Sequence, residues 1–453
     1  MRVSLSEFTR RDEGNLMSSR FQLPSQRTEL DFADAKPLYS KTEALAESQR
    51  CLYCHDAPCT KACPAGIDVP GFIRKIATEN LKGAARTILE ANILGLSCAR
   101  VCPVEVLCVG ACVLSLQYRY PIEIGRLQRY ATEPFVGTDV LRKSLPTRTG
   151  KKVALVGAGP ASLACASYLV ARGHEPVIFE KETVPGGLNL FGIAPYKMHA
   201  HECLRETEWI LSSGIDVKVG VEIGKDVSCE RILKEYDAVF IGVGLGKDSP
   251  IGIPGESGPG VYPAIEMIKR IKLGDGLRLD GLESAAVIGG GNTAIDIARD
   301  LAHLGVKDVS ILYRRTEREM RGYAHELKAA RLAGVRFIEK TLPVRTLEDK
   351  GRLRGLVVVR AESARPLPGT EREFETQMVV VAIGQAGEAE LISRFPQVEC
   401  DSNGCVVVDE KTGRTGNPRV FAGGDCVNGG KEVVNAVAEG KRAAVAIDEM
   451  LRS

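Results

Sequence analysis

Eight cysteines crowded between residues 51 and 112 constrain this chain more than any other feature. They fall into two groups, Cys51, Cys54, Cys59 and Cys63, then Cys98, Cys102, Cys108 and Cys112. Thiolates at such spacings wrap a soft metal centre, because each supplies a negatively charged sulfur and a tight turn aims several sulfurs at one point. The pattern therefore predicts iron–sulfur clusters in the N-terminal part of the chain.

Two other uses of these cysteines compete with clusters. A disulfide framework needs an oxidising compartment, and the charged segment 1–21 lacks the apolar core of a secretory leader. Two four-thiolate zinc sites use the same atoms and are the stronger rival, although zinc pairs usually come as two short knuckles. The first group instead resembles the bacterial ferredoxin pattern with a lengthened second gap, in which the cysteine before Pro64 serves the other cluster.

Charge and hydropathy argue against two classes of partner. The 453 residues suffice for roughly two to four domains. The 60 basic and 58 acidic residues give no electrostatic case for nucleic acid or an anionic membrane. The uncharged stretch 153–171 has about the length of a membrane span, but Gly157, Gly159 and Pro160 interrupt it. We expect a soluble, cytoplasmic protein with no nucleic-acid or membrane partner.

A dinucleotide-binding pattern starts at residue 152. A short apolar strand, 152–156, runs into a glycine-rich turn that lacks the usual third glycine, where small Ser162 serves helix–strand packing. The next strand ends in Glu180, an acid placed to accept the hydroxyls of an adenosine ribose. The loop 184–188 resembles that of two-dinucleotide flavoproteins, which implies FAD. The predicted contacts are Gly157, Ala158, Gly159, Pro160, Ala161, Glu180, Gly187 and Leu188.

A second dinucleotide-binding pattern starts at residue 285. The strand 285–288 leads into three glycines and an apolar helix, and the following strand, 309–313, ends in two arginines instead of an acid. Two guanidinium groups at that point suit a 2′-phosphate, because each presents a planar fork of donors. NADPH is therefore favoured, with NADH possible. The predicted contacts are Gly290, Gly291, Asn292, Thr293, Arg314 and Arg315.

Two later strand–glycine motifs, 379–384 and 420–425, resemble the closing motifs of the glutathione-reductase-like superfamily. That resemblance implies that Asp425 hydrogen-bonds the ribityl chain of the flavin and that the helix after it points at the flavin ring. The contacts predicted in this region are Ala382, Ile383, Gly384, Gly424 and Asp425. Outside the cysteine-rich region, the cysteines include no short redox pair as in a disulfide reductase except Cys400 and Cys405, five residues apart in a late strand–turn region, so thiol exchange is not expected.

The cysteine-rich segments 51–64, 94–103 and 107–112 resemble the N-terminal domain shared by glutamate synthase small subunits and dihydropyrimidine dehydrogenases. The second family matches better, because the similarity extends through 121–128 and the equivalent glutamine is an unusual iron ligand there. The resemblance implies that Cys98 is left over and that Arg321 and Lys197 contact nucleotide phosphate and flavin respectively. The ligand sets it implies are Cys51, Cys54, Cys59 and Cys112 for one 4Fe–4S cluster, and Cys63, Cys102, Cys108 and Gln128 for the other.

The predicted architecture is an α/β fold behind an α-helical domain. The helical domain, 1–150, holds the two clusters; residues 151–283 and 381–453 form the FAD-binding domain, and residues 284–380 bind NAD(P)H. Both nucleotide domains are expected to be Rossmann-like. Such a chain takes hydride from NAD(P)H and passes single electrons on through clusters, so no side chain needs to act as a nucleophile.

The resemblance covers only the front half of a complete dihydropyrimidine dehydrogenase. It therefore implies an electron-input subunit in a hetero-oligomer, whose second subunit carries FMN and the substrate site and reduces uracil or thymine. A glutamate synthase small subunit is the nearest alternative, since those subunits resemble this chain with an acid in place of Gln128. A ferredoxin-coupled transhydrogenase subunit and a flavoprotein with a zinc-bearing binding module also stay open.

Overall fold

The computed structural model describes residues 20–117, 119–141, 146–274 and 279–453, and its helices alternate with parallel strands after residue 151. The α-helices are Lys41–Gln49 (α1), Pro58–Lys61 (α2), Val69–Ala77 (α3), Leu81–Ala91 (α4), Gly95–Val101 (α5), Val113–Leu116 (α6), Ile124–Thr132 (α7), Pro160–Ala171 (α8), Leu188–Phe191 (α9), Ala200–Leu211 (α10), Cys229–Glu235 (α11), Ala264–Leu273 (α12), Asn292–His303 (α13), Ala324–Leu332 (α14), Ala389–Ile392 (α15), Asp425–Asn428 (α16) and Val433–Arg452 (α17).

Within the described residues, the strands form three sheets. They are Lys152–Val156 (β1), Glu175–Glu180 (β2), Asp216–Val219 (β3), Ala238–Ile241 (β4), Val261–Pro263 (β5), Ser284–Ile288 (β6), Asp308–Leu312 (β7), Arg336–Ile338 (β8), Thr341–Asp349 (β9), Arg352–Glu362 (β10), Arg365–Pro366 (β11), Arg372–Glu375 (β12), Met378–Val381 (β13) and Val420–Ala422 (β14). No helix among the described residues is long and apolar enough to cross a bilayer.

The N-terminal domain is built from short amphipathic helices, of which α3 is typical. Its residues Val69, Phe72, Ile73 and Ile76 are buried and recur at the spacing of one helical face. Asp68 begins the helix by accepting a hydrogen bond from a first-turn backbone N–H. Cysteines from both groups pack against the same core, so the helices bring together the two groups that the sequence separates.

The segment ahead of α1 ties this domain to the rest of the chain. The sequence reads as a loosely packed arm there, but Glu29 and Phe32 are buried. The ring of Phe32 stacks on His303 in α13, with 4.4 Å between ring centroids, and the backbone N–H of Ala35 donates to the carbonyl of Tyr196. The polar composition gave no signal of these contacts, because their partners lie far away along the chain.

The first parallel sheet has the order β14-β4-β1-β2-β3. Helices α8 and α17 pack against each other beside it at very short range, because Gly440 in α17 lies against the backbone of Ala161 in α8. Strand β14 joins the sheet from the far end of the sequence. The sheet is thus completed only by the C-terminal segment, as the closing motifs predict.

The second parallel sheet has the order β5-β13-β6-β7-β8. Strand β5 pairs with β13, and α12 contributes Met267 and Ile268 to the core of this sheet. Residues 261–273 therefore belong with the second sheet, whereas the predicted boundary at 283/284 assigns them to the first. A three-residue strand without a glycine fingerprint carries no sequence signal of its sheet. The domain limits themselves remain predictions.

An antiparallel unit of β9 to β12 is inserted between β8 and β13, with β10 pairing with β9, β11 and β12. It leaves the parallel sheet intact, because β13 returns to pair with β6. The predicted fold class, a helical N-terminal domain followed by two Rossmann-like α/β units, is confirmed.

Candidate functional site

The first predicted set of cluster ligands lines one cavity. Cys51, Cys54, Cys59 and Cys112 face it together, and the apolar side chains of α3 and the segment 113–124 close it. The pKa of Cys59 is raised to about 11, chiefly by burial, and the nearby thiols of Cys112 and Cys51 contribute to the increase. Converging buried thiolates destabilise one another, and iron removes that penalty by binding them. These four residues thus fit a cluster.

The three cysteines of the second set also converge. Burial raises the pKa of Cys108, and the neighbouring thiols of Cys102 and Cys63 add to the increase. The hydrogen bond between Cys98 and Cys102 raises the pKa of Cys102 together with burial, so Cys98 lies beside this group. That Cys98 is not a cluster ligand stays a prediction. Within the described ranges, no three or more His, Cys, Asp or Glu side chains are arranged to hold a single metal ion.

Gln128 is buried against the first turn of α5, the helix that carries Cys98 and leads into Cys102, and does not lie on the surface. Its side chain is buried, and Nε2 donates to the carbonyl oxygen of Gly95 at 2.7 Å. Because a carbonyl accepts only from the amide nitrogen, this bond fixes the orientation of the amide. The oxygen Oε1 is then directed away from Gly95 and can serve as a ligand. The assignment of Gln128 to a cluster stays a prediction that this geometry fits.

The first glycine turn is shaped by close backbone contacts. Gly157 has a φ of +92°, and a side chain there would meet the carbonyl of Gly242 at 2.7 Å. The N–H of Ala158 donates to the buried carboxylate of Glu180 at 2.7 Å, and burial raises the pKa of that carboxyl. Strand β2 therefore holds the predicted ribose acceptor against the turn that it was predicted to serve.

The remaining flavin motifs converge on the same turn. A side chain at Gly187 would meet the Cα of Gly159 at 2.8 Å, so the loop before α9 lies directly on the start of α8. Gly424 donates its N–H to Glu439 at 2.7 Å. Asp425 accepts the N–H of Lys431 at 3.1 Å, and burial raises the pKa of Asp425 to about 6. Pro160, Ala161 and Leu188 line the cleft between these segments.

The second glycine turn repeats these contacts in the second sheet. A side chain at Gly289 would collide with the carbonyl of Ala382, and one at Gly290 with the ring of Tyr313. Gly291 is the N-cap of α13, and Asn292 holds the loop after β7 by accepting the N–H of Tyr323 at 3.0 Å. The other predicted contacts that line the cleft here are Thr293, Ile383 and Gly384.

Three arginines face the cleft beside this turn. Arg314 and Arg315 follow β7, and the N–H of Arg321 donates to the carbonyl of Gly290 at 3.0 Å. In the part of the chain that the structure describes, no carboxylate forms an ion pair with any of the three guanidinium groups. Their charge is therefore available to a phosphate, as the sequence predicts.

Lys197 makes different contacts from the predicted one. Its Nζ donates to Asp296 at 2.8 Å and lies 2.9 Å from Glu326. Burial lowers the pKa of Lys197, but these two carboxylates outweigh it and raise the pKa. The ammonium group thus joins the flavin half to α13 and α14 of the second sheet, and a flavin contact of Lys197 stays a prediction.

The two turns open into one cleft with a volume of about 1620 Å³. Small-molecule sites usually occupy roughly 300–1,000 Å³, so this cleft has room for more than one nucleotide. Its lining includes Cys102 as well as both glycine turns. One continuous space therefore reaches from the nucleotide turn past the flavin turn to the second cysteine group.

Buried ion pairs hold the helical domain against this cleft. Arg100 in α5 is almost fully buried and pairs with Asp34 at 2.9 Å, with Glu133 at 3.2 Å and with Glu202 in α10. Such a buried guanidinium needs all its partners, because an unpaired buried charge costs several kcal/mol (about 3–5). Sequence reasoning missed Arg100, since its partners come from three separate stretches of the chain.

Two family models match successive parts of the chain. A family model described as dihydropyrimidine dehydrogenase domain II, 4Fe–4S cluster, matches residues 28–139, and the pyridine nucleotide-disulphide oxidoreductase model matches residues 151–440. The glutamate synthase [NADPH] small chain of Halomonas elongata is 34% identical over 451 residues, covering 94% of this chain and 95% of that one. The NAD-dependent dihydropyrimidine dehydrogenase subunit PreT of Escherichia coli K12 is 36% identical over 417 residues, covering 92% and 96%.

Solved structures share the fold of about two thirds of the chain. The thioredoxin reductase of T. acidophilum has a TM-score of 0.55 at 21% identity, covering 67% of this chain and all of that one. FprA from Mycobacterium tuberculosis in complex with NADPH has a TM-score of 0.54 at 22% identity, covering 67% and 84%. The predicted cofactors, iron–sulfur clusters, FAD and NAD(P)H, are confirmed. The chain belongs to the pyridine nucleotide-disulphide oxidoreductase family and is an NAD(P)H-dependent oxidoreductase with a 4Fe–4S domain of the dihydropyrimidine dehydrogenase type at its N-terminus.

Proposed function

We propose that this chain is the electron-input subunit of a bacterial-type dihydropyrimidine dehydrogenase, whose partner subunit carries FMN and reduces uracil or thymine. The position of Gln128 carries the proposal. It is buried against α5, the helix that leads into Cys102, and its amide nitrogen bonds Gly95, which leaves the amide oxygen for a ligand role. Several relatives named as dihydropyrimidine dehydrogenase subunits align over 92% of the chain, which also supports it.

The cleft suits the first half of this task. Bound FAD accepts two electrons from a reduced nicotinamide and can release them singly, which matches a hydride donor to clusters that carry one electron each. The chain's own residues bind and orient: two glycine turns admit the pyrophosphates, and Cys102 lies on the wall of the same cleft. No nucleophile or general base is needed for this work.

A glutamate synthase small subunit is the second candidate, because relatives of that name are 34% identical over 93–94% of the chain. The identity of the subunit that copurifies with this chain from its native source separates the two. We expect an FMN-bearing chain and uracil-dependent oxidation of NAD(P)H by the complex. Recovery of a glutamate synthase large subunit, with glutamate formation and no pyrimidine reduction, contradicts the proposal.

We further propose that Arg314, Arg315 and Arg321 select NADPH. Replacing Arg314 and Arg315 together by alanine removes charged hydrogen bonds worth about 1.5–3 kcal/mol each. The loss of each arginine is expected to raise the NADPH concentration that half-saturates flavin reduction by about ten- to a hundredfold. The value for NADH should change little. Stopped-flow reduction of the flavin with each nucleotide measures both.

Arg318→Ala is the matched control. Arg318 stands in the same basic stretch and is exposed, but it is not among the residues that line the cleft. The control should behave as wild type with both nucleotides. If Arg314→Ala/Arg315→Ala weakens NADPH and NADH equally, the arginines do not read the 2′-phosphate and the preference is wrong.

A further inference from the structure

A buried chain of hydrogen bonds connects the helical domain to the flavin side of the cleft. It begins at Glu206 in α10, whose carboxylate is fully buried. That carboxylate accepts the N–H of Leu96 at 2.8 Å, the N–H of Ser97 at 3.0 Å and also the hydroxyl of Ser97. It thereby satisfies N–H groups that the first turn of α5 leaves without a partner inside the helix.

The chain continues from Ser97 to Asn189. The amide nitrogen Nδ2 of Asn189 donates to the hydroxyl oxygen of Ser97 at 3.0 Å and to the sulfur of Cys203 at 3.3 Å. Because Ser97 gives its hydroxyl hydrogen to Glu206, its oxygen can only accept from Asn189. This dependence fixes which end of the Asn189 amide faces Ser97.

The amide oxygen of Asn189 takes no part in these two hydrogen bonds, which both use the amide nitrogen. Oδ1 is buried and has no hydrogen-bond partner within the described residues, a condition that costs about 1–3 kcal/mol when it persists. Asn189 lines the cleft and stands two residues after Gly187, which lies on the flavin turn at Gly159. A hydrogen-bond donor on the bound cofactor would therefore satisfy Oδ1 of Asn189.

We propose that Asn189 contacts the flavin ring through its amide oxygen, and that Ser97 and Glu206 are positioning residues that hold this amide in place. The proposal rests on the flavin site of the proposed function and is independent of the partner subunit. Oxidised flavin already carries a hydrogen at N3 but gains one at N5 only on reduction, so a fixed acceptor at N5 favours the reduced form. The chain also anchors α5, which leads into Cys102, so one network contacts the flavin and supports the second cysteine group.

The test measures the flavin potential of the holoprotein by spectroelectrochemical titration, without nucleotide or partner. Ser97→Ala removes the middle bond and leaves both backbone bonds to Glu206. We expect the ratio of reduced to oxidised flavin at a given potential to fall about tenfold, a shift of about 30 mV to lower potential for a two-electron couple. Asn189→Leu should shift it at least as far. The double variant should equal Asn189→Leu alone, because Ser97 acts through Asn189.

Ser310→Ala is the control, because it also removes a buried hydroxyl but lies in β7 of the second sheet; its flavin potential should not move. FAD content and the EPR spectra of the reduced clusters, which a displaced α5 alters, should stay those of wild type in Ser97→Ala. An unchanged flavin potential in a Ser97→Ala protein that holds its FAD and clusters overturns the proposal. Additive shifts in the double variant overturn the route through Asn189. Ser97→Ala removes a single oxygen atom, so the decision does not require that Asn189→Leu folds.

Discussion

Purified Cys59→Ala and Cys102→Ala variants are each expected to contain about half the iron and acid-labile sulfide of the wild type. Cys59 lines the first cavity with three other thiols, whereas Cys102 converges with Cys63 and Cys108. Losing one thiolate leaves a four-iron cluster without a full ligand set, while the other site is untouched. Flavin reduction by NAD(P)H should persist, and transfer onward to the partner subunit should be lost. Iron analysis and EPR of the reduced proteins measure the effect.

Cys98→Ala is the matched control for this pair. Cys98 is buried in α5 and is hydrogen-bonded to Cys102, yet it belongs to neither proposed ligand set. The variant should keep its full iron content. If Cys98→Ala loses half of its iron and Gln128→Ala loses none, then Cys98 and not Gln128 completes the second set, and the argument for a pyrimidine dehydrogenase subunit is lost with it.

Gly440→Ala is expected to destabilise the protein and to release its FAD. In an ordinary exposed helix, alanine for glycine stabilises by up to about 1 kcal/mol. Here the added methyl group would collide with the backbone of Ala161, at the start of the helix that follows the flavin turn. Forcing α17 away from α8 is expected to cost about 1–3 kcal/mol. Thermal unfolding and the FAD content of the purified protein measure the two effects.

Arg442→Ala controls for helix propensity in the same helix, because Arg442 is exposed and two residues away. It should leave the FAD content and the unfolding temperature near those of wild type. A Gly440→Ala protein that binds FAD normally and melts at a higher temperature would show that the helix pair tolerates separation. The close contact of α8 and α17 would then have no part in holding the cofactor.

Much of the cofactor cleft was predictable because its determinants are local. A glycine turn, the strand before it and the acid or arginine pair at the end of the next strand lie within about thirty residues. Gly157 and Glu180 illustrate this, since parallel pairing of β1 and β2 brings them together. The cysteine spacing is local in the same sense, and the resemblance supplied the division into two ligand sets.

The contacts that join the domains were not predictable from one sequence. Glu206 and Ser97 are separated by 109 residues and Asn189 and Ser97 by 92, and each is an ordinary polar residue in its own helix. In the sequence, Arg100 does not differ from the other basic residues. Only the fold shows that Asp34, Glu133 and Glu202 surround it. Polar contacts between distant residues produce no periodic pattern in the sequence, so these residues can be identified only from the folded structure.

Because β14 comes late in the sequence, the first sheet can be completed only late in the synthesis of the chain. β4 ends at Ile241, but the strand that covers its open edge, β14, starts at Val420. At roughly 5–20 residues per second, a ribosome needs about 9 to 36 seconds to synthesise the stretch between them. During that time the edge of β4 is unpaired, and an unpaired apolar strand edge is prone to aggregation. The cysteine-rich helices are synthesised long before, whereas the flavin side of the cleft is complete only after β14 and the segment that follows it.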